Sequence, residues 1–321
     1  MIAFIFPGQG SQRVAMGKTL ASAYPDAAAA FAEADAAFAS AAGNGHAGGT
    51  PGRLSQIVFE GPEDALTLTE HAQPAILAAS VAAGRVLTKT GITPAFVAGH
   101  SLGEYSAHVI AGTFGFPEAV AVVRRRGRYM QEAVPVGQGA MAAILGADTA
   151  IVERACQEAA EGEVVAPANL NAPGQVVIAG TAAAVMRAGE RAKALGARRV
   201  VPLTVSAPFH CALMKPAEQR LEPELRALPV RQPAVPVVAN VDALLKRDPG
   251  AAIDALVRQV SCPVRWEDVV RRLASEGVTT YVEVGPGTVL SGLVKKIHPD
   301  ARVSHFGSPE DLAAVVAACS I

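Results

Sequence analysis

An α/β fold with a mostly parallel sheet, and a small α+β unit set into it, is what this chain of 321 residues predicts. Three observations carry the prediction. Short apolar runs bounded by turn residues alternate with longer stretches of helical spacing, the pattern of parallel strands joined by helical crossovers. One of those runs passes straight through a Gly-rich pentapeptide into an apolar helix. The texture then changes between residues 138 and 200, where strand-like runs and Ala-rich helices crowd together.

Residues 2–6 (IAFIF) stop at Pro7-Gly8 and predict a buried strand followed by a tight turn. Residues 26–50 are Ala-rich and then Gly-rich, a helix leading into a flexible surface loop that holds His46. Residues 62–88 carry helical spacing with a break or kink near Pro74. Residues 94–98 (PAFVA) form a second buried strand, which enters GHSLG (99–103) and a helix from Glu104 to Ala111. Residues 116–134 form a further helix, with Pro117 where an N-terminal proline belongs. The runs 140–146 and 175–180, with helices near 148–160 and 181–195, make up the small unit. Residues 199–205, 235–239 and 279–284 then predict further buried strands of the larger sheet. No internal repeat is present.

Bulk properties exclude several classes. The formal net charge is −1, so no global basic field attracts nucleic acid. Cys156, Cys211, Cys262 and Cys319 lie far apart with no CxxC pair, which argues against a zinc site or a disulfide framework and suits a reducing cytoplasm. No apolar run approaches the roughly 20 residues that span a bilayer, and the first eight residues lack the basic start of a secretory signal. A cytoplasmic protein that uses no membrane, metal or cofactor, and acts as a monomer, is expected.

The chemistry centres on Ser101. G-x-S-x-G on a sharp strand-to-helix turn is a nucleophile elbow: the glycines allow the turn, and the serine oxygen stands exposed where the helix presents its positive end. A serine needs a base. Among seven histidines, His210 follows the apolar run 199–205 in Ser206-Ala207-Pro208-Phe209-His210, at a strand end where α/β sheets build sites. The alternative is a satisfied, partly buried histidine. No Asp or Glu between the elbow and His210 makes a convincing third member, so a Ser–His dyad is predicted, with the imidazole held by a neutral acceptor such as a backbone carbonyl. The Gly-rich Pro7-Gly8-Gln9-Gly10 lacks the ending of a phosphate loop and suits an oxyanion-hole donor, paired with the N–H of Leu102; a plain turn is the alternative. In Arg124-Arg125-Arg126, helical phase puts Phe116, Val120, Val123, Gly127 and Met130 on one face and Arg125 opposite, solvated. Arg124 and Arg126 both flank the apolar face, and phase does not separate them. Either could clamp a carboxylate with parallel N–H bonds.

Taken together, FPGQGSQ (6–12), GHSLGEYSA (99–107), RRGRYMQEAVPVGQGAMAAILG (125–146), NLNAPGQVVIAG (169–180), APFHCALM (207–214), ALVRQVSCPVRW (255–266) and VEVGPGTVLSGLVKKI (282–297) closely resemble the malonyl-CoA:acyl carrier protein transacylase family, in order and over nearly the whole chain. Residues 40–53 look like an insertion. The resemblance implies an α/β-hydrolase-like large subdomain (1–134 and 201–321) with a ferredoxin-like small subdomain (135–200) inserted. It implies Ser101 as the acylated nucleophile, His210 as its base, and Gln9 and Leu102 as oxyanion N–H donors. Arg126 is then the residue that holds the malonyl carboxylate, Gln259 the one whose carbonyl orients His210, and His100 and Asn169 supporting residues. Malonyl-CoA and acyl carrier protein are the implied partners, and fatty acid or polyketide synthesis the implied setting. The rivals are a serine esterase or thioesterase, a sibling transferase using another extender such as methylmalonyl-CoA, and a carrier-binding module with a dead site.

Overall fold

A computed structural model describes residues 1–41 and 52–320. Most of the expected Gly-rich loop, with His46, lies outside the described residues. The strands are β1 (Ile2–Phe6), β2 (Phe96–Gly99), β3 (Gly139–Leu145), β4 (Val165–Ala172), β5 (Gln175–Thr181), β6 (Arg199–Pro202), β7 (Val237–Val238), β8 (Leu245–Lys246), β9 (Thr280–Val284) and β10 (Arg302–Phe306). They form two sheets, ordered β10-β9-β1-β2-β7-β8 and β4-β5-β3-β6. The first is parallel except for its edge strand β8, and the second is antiparallel throughout. The expected α/β class is therefore observed, with a mostly parallel sheet and a separate small antiparallel one.

The helices that bear on the site are α1 (Thr69–Lys89), α2 (Leu102–Ile110), α3 (Phe116–Glu132), α4 (Thr149–Ala159), α5 (Ala182–Ala194), α6 (Lys215–Arg226) and α7 (Pro249–Gln259). β1 is apolar at every position because both faces of the large sheet are covered. Phe4 and Phe6 pack into the cluster that holds α1 and α3, while Ala3 and Ile5 face Trp266, Val270 and Leu273 on the opposite side. The small sheet packs against α4 and α5 through Ile144, Val152, Ile178, Val185 and Ala188. Its edge strand β4 is also stitched to the large unit: Leu170 N–H donates to Val264 O and Val264 N–H to Ala168 O, each at 2.9 Å. One backbone bridge thus ties the small sheet to the large unit.

Three expectations are corrected. The run 199–205 is not a buried strand of the large sheet. Only Arg199–Pro202 is strand; it pairs antiparallel with β3 and is partly exposed, since an edge strand has a partner on one side alone. The helical stretch 62–88 is interrupted at Leu68, whose backbone is extended, and α1 runs on through Pro74, which forfeits one backbone hydrogen bond in its second turn. Arg125 is half-buried rather than solvated, because Glu224 on α6 pairs with it. β4 gave no strand signal: Pro167 and two asparagines interrupt it, and its pairing shifts register twice, as an edge strand with bulges tolerates. β8, β10 and the helices after residue 215 were also unanticipated.

Gly99 and Gly103 lock the elbow to the sheet. A Cβ on Gly103 would sit 2.0 Å from Phe6 O, and one on Gly99 2.0 Å from the Gly103 carbonyl carbon. Both obstacles are backbone and cannot rotate away. Gly103→Ala is expected to destabilise the protein by about 3 kcal/mol, read as a lower urea midpoint with an unchanged slope.

Candidate active site

β2 delivers Ser101 to the carboxyl end of the parallel sheet, and α2 begins at the next residue. Ser101 has φ 52° and ψ −105°, a left-handed conformation that a non-glycine residue avoids. Asn240, just past β7, holds this turn in place. Its Oδ1 accepts from Ser101 N–H and its Nδ2 donates to Gly99 O, both at 2.7 Å.

His210 lies after β6 on a segment with its own left-handed residue, φ 60° at the histidine itself. Its Nε2 is 2.7 Å from Ser101 Oγ and its Nδ1 is 2.9 Å from Gln259 O. A carbonyl oxygen only accepts, so Nδ1 carries the proton and the Nε2 lone pair faces the serine hydroxyl. Burial, and then the nearby Arg126 charge, push the imidazole down to about 3. At neutral pH it is an unprotonated acceptor.

Arg126 is 1% exposed and Arg124 9%, so both leave solvent. Their partners separate them. Arg124 stacks on Phe38 and donates to its carbonyl oxygen at 2.6 Å, a packing role away from Ser101. Arg126 donates to Gln73 Oε1 at 2.8 Å, Gln259 Oε1 at 2.9 Å and Ser101 Oγ at 3.1 Å. Burial lowers its pKa, but a guanidinium remains charged throughout the working range. Gln259 ends α7, and its Nε2 donates to Ser101 O at 2.9 Å and to Glu104 Oε2 at 2.7 Å. Glu104, in the first turn of α2, is wholly buried, and burial raises its carboxyl to about 7.

Ser101, His210 and Arg126 open on a cavity of about 440 Å³, which Gln9, His100 and Asn169 also line. Gln9 is exposed; its amide donates to Thr69 Oγ1 at 3.3 Å. The N–H groups of Gln9 and Leu102 find no acceptor among the described residues. Asn169 sits in β4 opposite Val264. His100 is turned toward Asn171, with Nε2 2.9 Å from Oδ1. Leu102 and Gln259 do not line the cavity themselves but adjoin it, next to Ser101 in the chain and against Arg126. Gln73, Glu104 and Asn240 went unrecognised in the sequence. The available signal was polarity out of place: an amide inside the apolar stretch of α1, a carboxylate opening an apolar helix, and an asparagine ending the run VPVVAN.

A serine–histidine pair at an elbow on a parallel α/β sheet defines the class, that of enzymes that handle acyl groups through a serine oxygen. Comparison with known proteins narrows it: the family model for the acyl transferase domain matches residues 3–306, and the chain belongs to that family. It is 50% identical, over 98% of each chain, to the malonyl CoA-acyl carrier protein transacylase of Escherichia coli K12. An acyl carrier protein S-malonyltransferase from Vibrio cholerae superposes with a TM-score of 0.92 at 46% identity, covering 98% of this chain and 99% of that one. A malonyl-transacylase solved in complex with its type II polyketide acyl-carrier protein gives 0.92 at 45%, with the same coverage.

His108 is also buried and held near pH 3 by burial alone. With His210, it stays neutral in the folded chain where the unfolded chain would bind a proton, between about 3 and the ordinary 6.5. Stability from this source is complete above pH 6.5 and is lost as pH falls toward 3. His108→Gln is expected to flatten the slope of unfolding free energy against pH in that window, measured by denaturant titration at several pH values.

Proposed function

We propose that this protein transfers a malonyl group from malonyl-CoA to the phosphopantetheine thiol of acyl carrier protein, through a malonyl ester on Ser101, in support of fatty acid or polyketide synthesis. The observation that carries the reading is the buried Arg126 guanidinium, 3.1 Å from Ser101 Oγ. A serine meant for any acyl group has no use for a buried cation beside it. A malonyl ester brings a carboxylate that the guanidinium can take with two N–H bonds.

His210 Nε2 accepts the Ser101 proton as Oγ attacks the thioester carbon. The tetrahedral oxyanion lies against the N–H groups of Gln9 and Leu102, at the positive end of α2. The carbon–sulfur bond breaks, CoA sulfur takes the proton from His210, and the ester remains. The carrier thiol then gives its proton to His210 and attacks the ester, and Ser101 recovers its hydrogen. The Gln259 carbonyl holds the imidazole in the required tautomer, which an acid would do in a hydrolytic triad. His100 and Asn169 support the wall of the cavity. The inserted unit is assigned to 135–200, with β6 running on to Pro202, and the large unit to 1–134 and 201–321. No helix among the described residues is long and apolar enough to cross a membrane; the proposed compartment is the cytoplasm, where the free thiols of Cys156, Cys211, Cys262 and Cys319 would persist.

Brief exposure to malonyl-CoA is expected to add one malonyl mass to the intact protein, mapped to Ser101 and absent from Ser101→Ala. With holo acyl carrier protein present, the malonyl group appears on the carrier; free malonate as the sole product would establish a hydrolase instead.

Arg126→Ala is expected to lose at least about 100-fold in kcat/KM for malonyl transfer, because a charge-assisted pair is removed, and to gain acetyl transfer relative to malonyl. Unchanged malonyl kinetics would remove the clamp.

A further inference from the structure

The Gln259 side chain can face Arg126 with either end, and the two ends have opposite consequences. With Oε1 toward Arg126, the guanidinium meets an acceptor at 2.9 Å. Turned over, the amide would aim its N–H groups at Arg126 Nη2, donor against donor, and push the guanidinium away from Ser101. An amide's direction is set by the network around it. Here Nε2 has two acceptors, Ser101 O at 2.9 Å and Glu104 Oε2 at 2.7 Å. Ser101 O is already engaged by Glu104 N–H at 3.1 Å. Glu104 Oε2 is the shorter contact, and it is fixed in turn by Asn240 N–H at 3.0 Å. The carboxylate is fully buried, so bulk water does not compete with it for the amide.

We propose that Glu104 is a positioning residue for acyl selectivity: its Oε2 holds the Gln259 amide with the carbonyl end toward Arg126, and so aims the guanidinium at the acyl carboxylate. The inference rests on the malonyl-clamp reading of Arg126. It requires an acceptor at Oε2, not a charge, since a protonated carboxyl still accepts through its carbonyl oxygen. Glu104→Gln meets that need, because the Asn240 N–H selects the carbonyl end of the new amide for the Oε2 position. Glu104→Met removes the acceptor at similar volume, and Glu104→Asp retracts it by one methylene.

The test is acylation of Ser101 by malonyl-CoA and by acetyl-CoA in each variant, with KM and kcat measured separately. Glu104→Met is expected to raise the malonyl KM about 10-fold, with a smaller change in kcat, and to lower the malonyl-to-acetyl ratio by about 10-fold, the order expected for one lost buried hydrogen bond. Glu104→Gln is expected to hold the ratio within about 3-fold of the parent. If Glu104→Met does not fold, Glu104→Asp supplies the comparison, with the ratio lowered in the same direction. A ratio that stays constant while both acyl groups slow together would show a purely structural role and overturn the proposal, as would a Glu104→Gln ratio as low as that of Glu104→Met or Glu104→Asp. Arg126→Ala separates the two readings. If it retains malonyl preference, the clamp itself fails; if it loses the preference while Glu104→Met keeps it, only the role of Glu104 fails.

Discussion

A guanidinium that has left water needs an acceptor for its donors or it costs several kcal/mol. Arg126 meets that need at its two terminal nitrogens, with two glutamine side-chain oxygens and the Ser101 hydroxyl drawn from α1, α7 and the elbow, while its Nε has no partner among the described residues. The surrounding elements follow from this requirement. Gly127, the next residue in α3, can approach α1 closely because it has no Cβ; one added there would lie 2.5 Å from Thr69 O. That contact brings Gln73 within reach. Tyr105 of α2 turns its ring toward the guanidinium, 5.3 Å from its centroid. All three hydrogen-bond partners are neutral, so none of them cancels the charge, and the guanidinium keeps its attraction for a carboxylate.

The second constraint is backbone strain. Ser101 and His210 both occupy left-handed conformations that cost of order 1–3 kcal/mol each, and both are held from outside their own segments. Asn240 fixes the Ser101 backbone from the end of β7, and the Gln259 carbonyl holds the His210 ring from the end of α7. Residues 240 and 259 come from parts of the chain remote from either segment. The elbow geometry therefore depends on the completed sheet and cannot form locally.

This explains what was legible in the sequence. β1 and β2 stood out because a strand buried on both faces is an apolar run, and β9 stood out even though that run is broken by the buried Glu283. The elbow stood out because its two glycines are demanded by close backbone contacts. Helical phase brought the choice of arginine down to Arg124 and Arg126, and there it stopped, since both leave solvent and only their partners differ. Those of Arg126 are two amides and a hydroxyl, separated from it by 25 to 133 positions, and no local pattern announces such a meeting. β4 was hidden for a different reason. Its irregular pairing permits proline and asparagines that ordinarily argue against a strand, and two of those asparagines, Asn169 and Asn171, face the site region.

Gln259 serves the site twice, by its main chain toward His210 and by its side chain toward Arg126. The two duties are chemically separable. Any residue placed there still offers a carbonyl oxygen to the imidazole, while its side chain sets one of the three contacts of the guanidinium. Position 259 is thus a place where the surroundings of the guanidinium can be changed with the acceptor for the imidazole left in place.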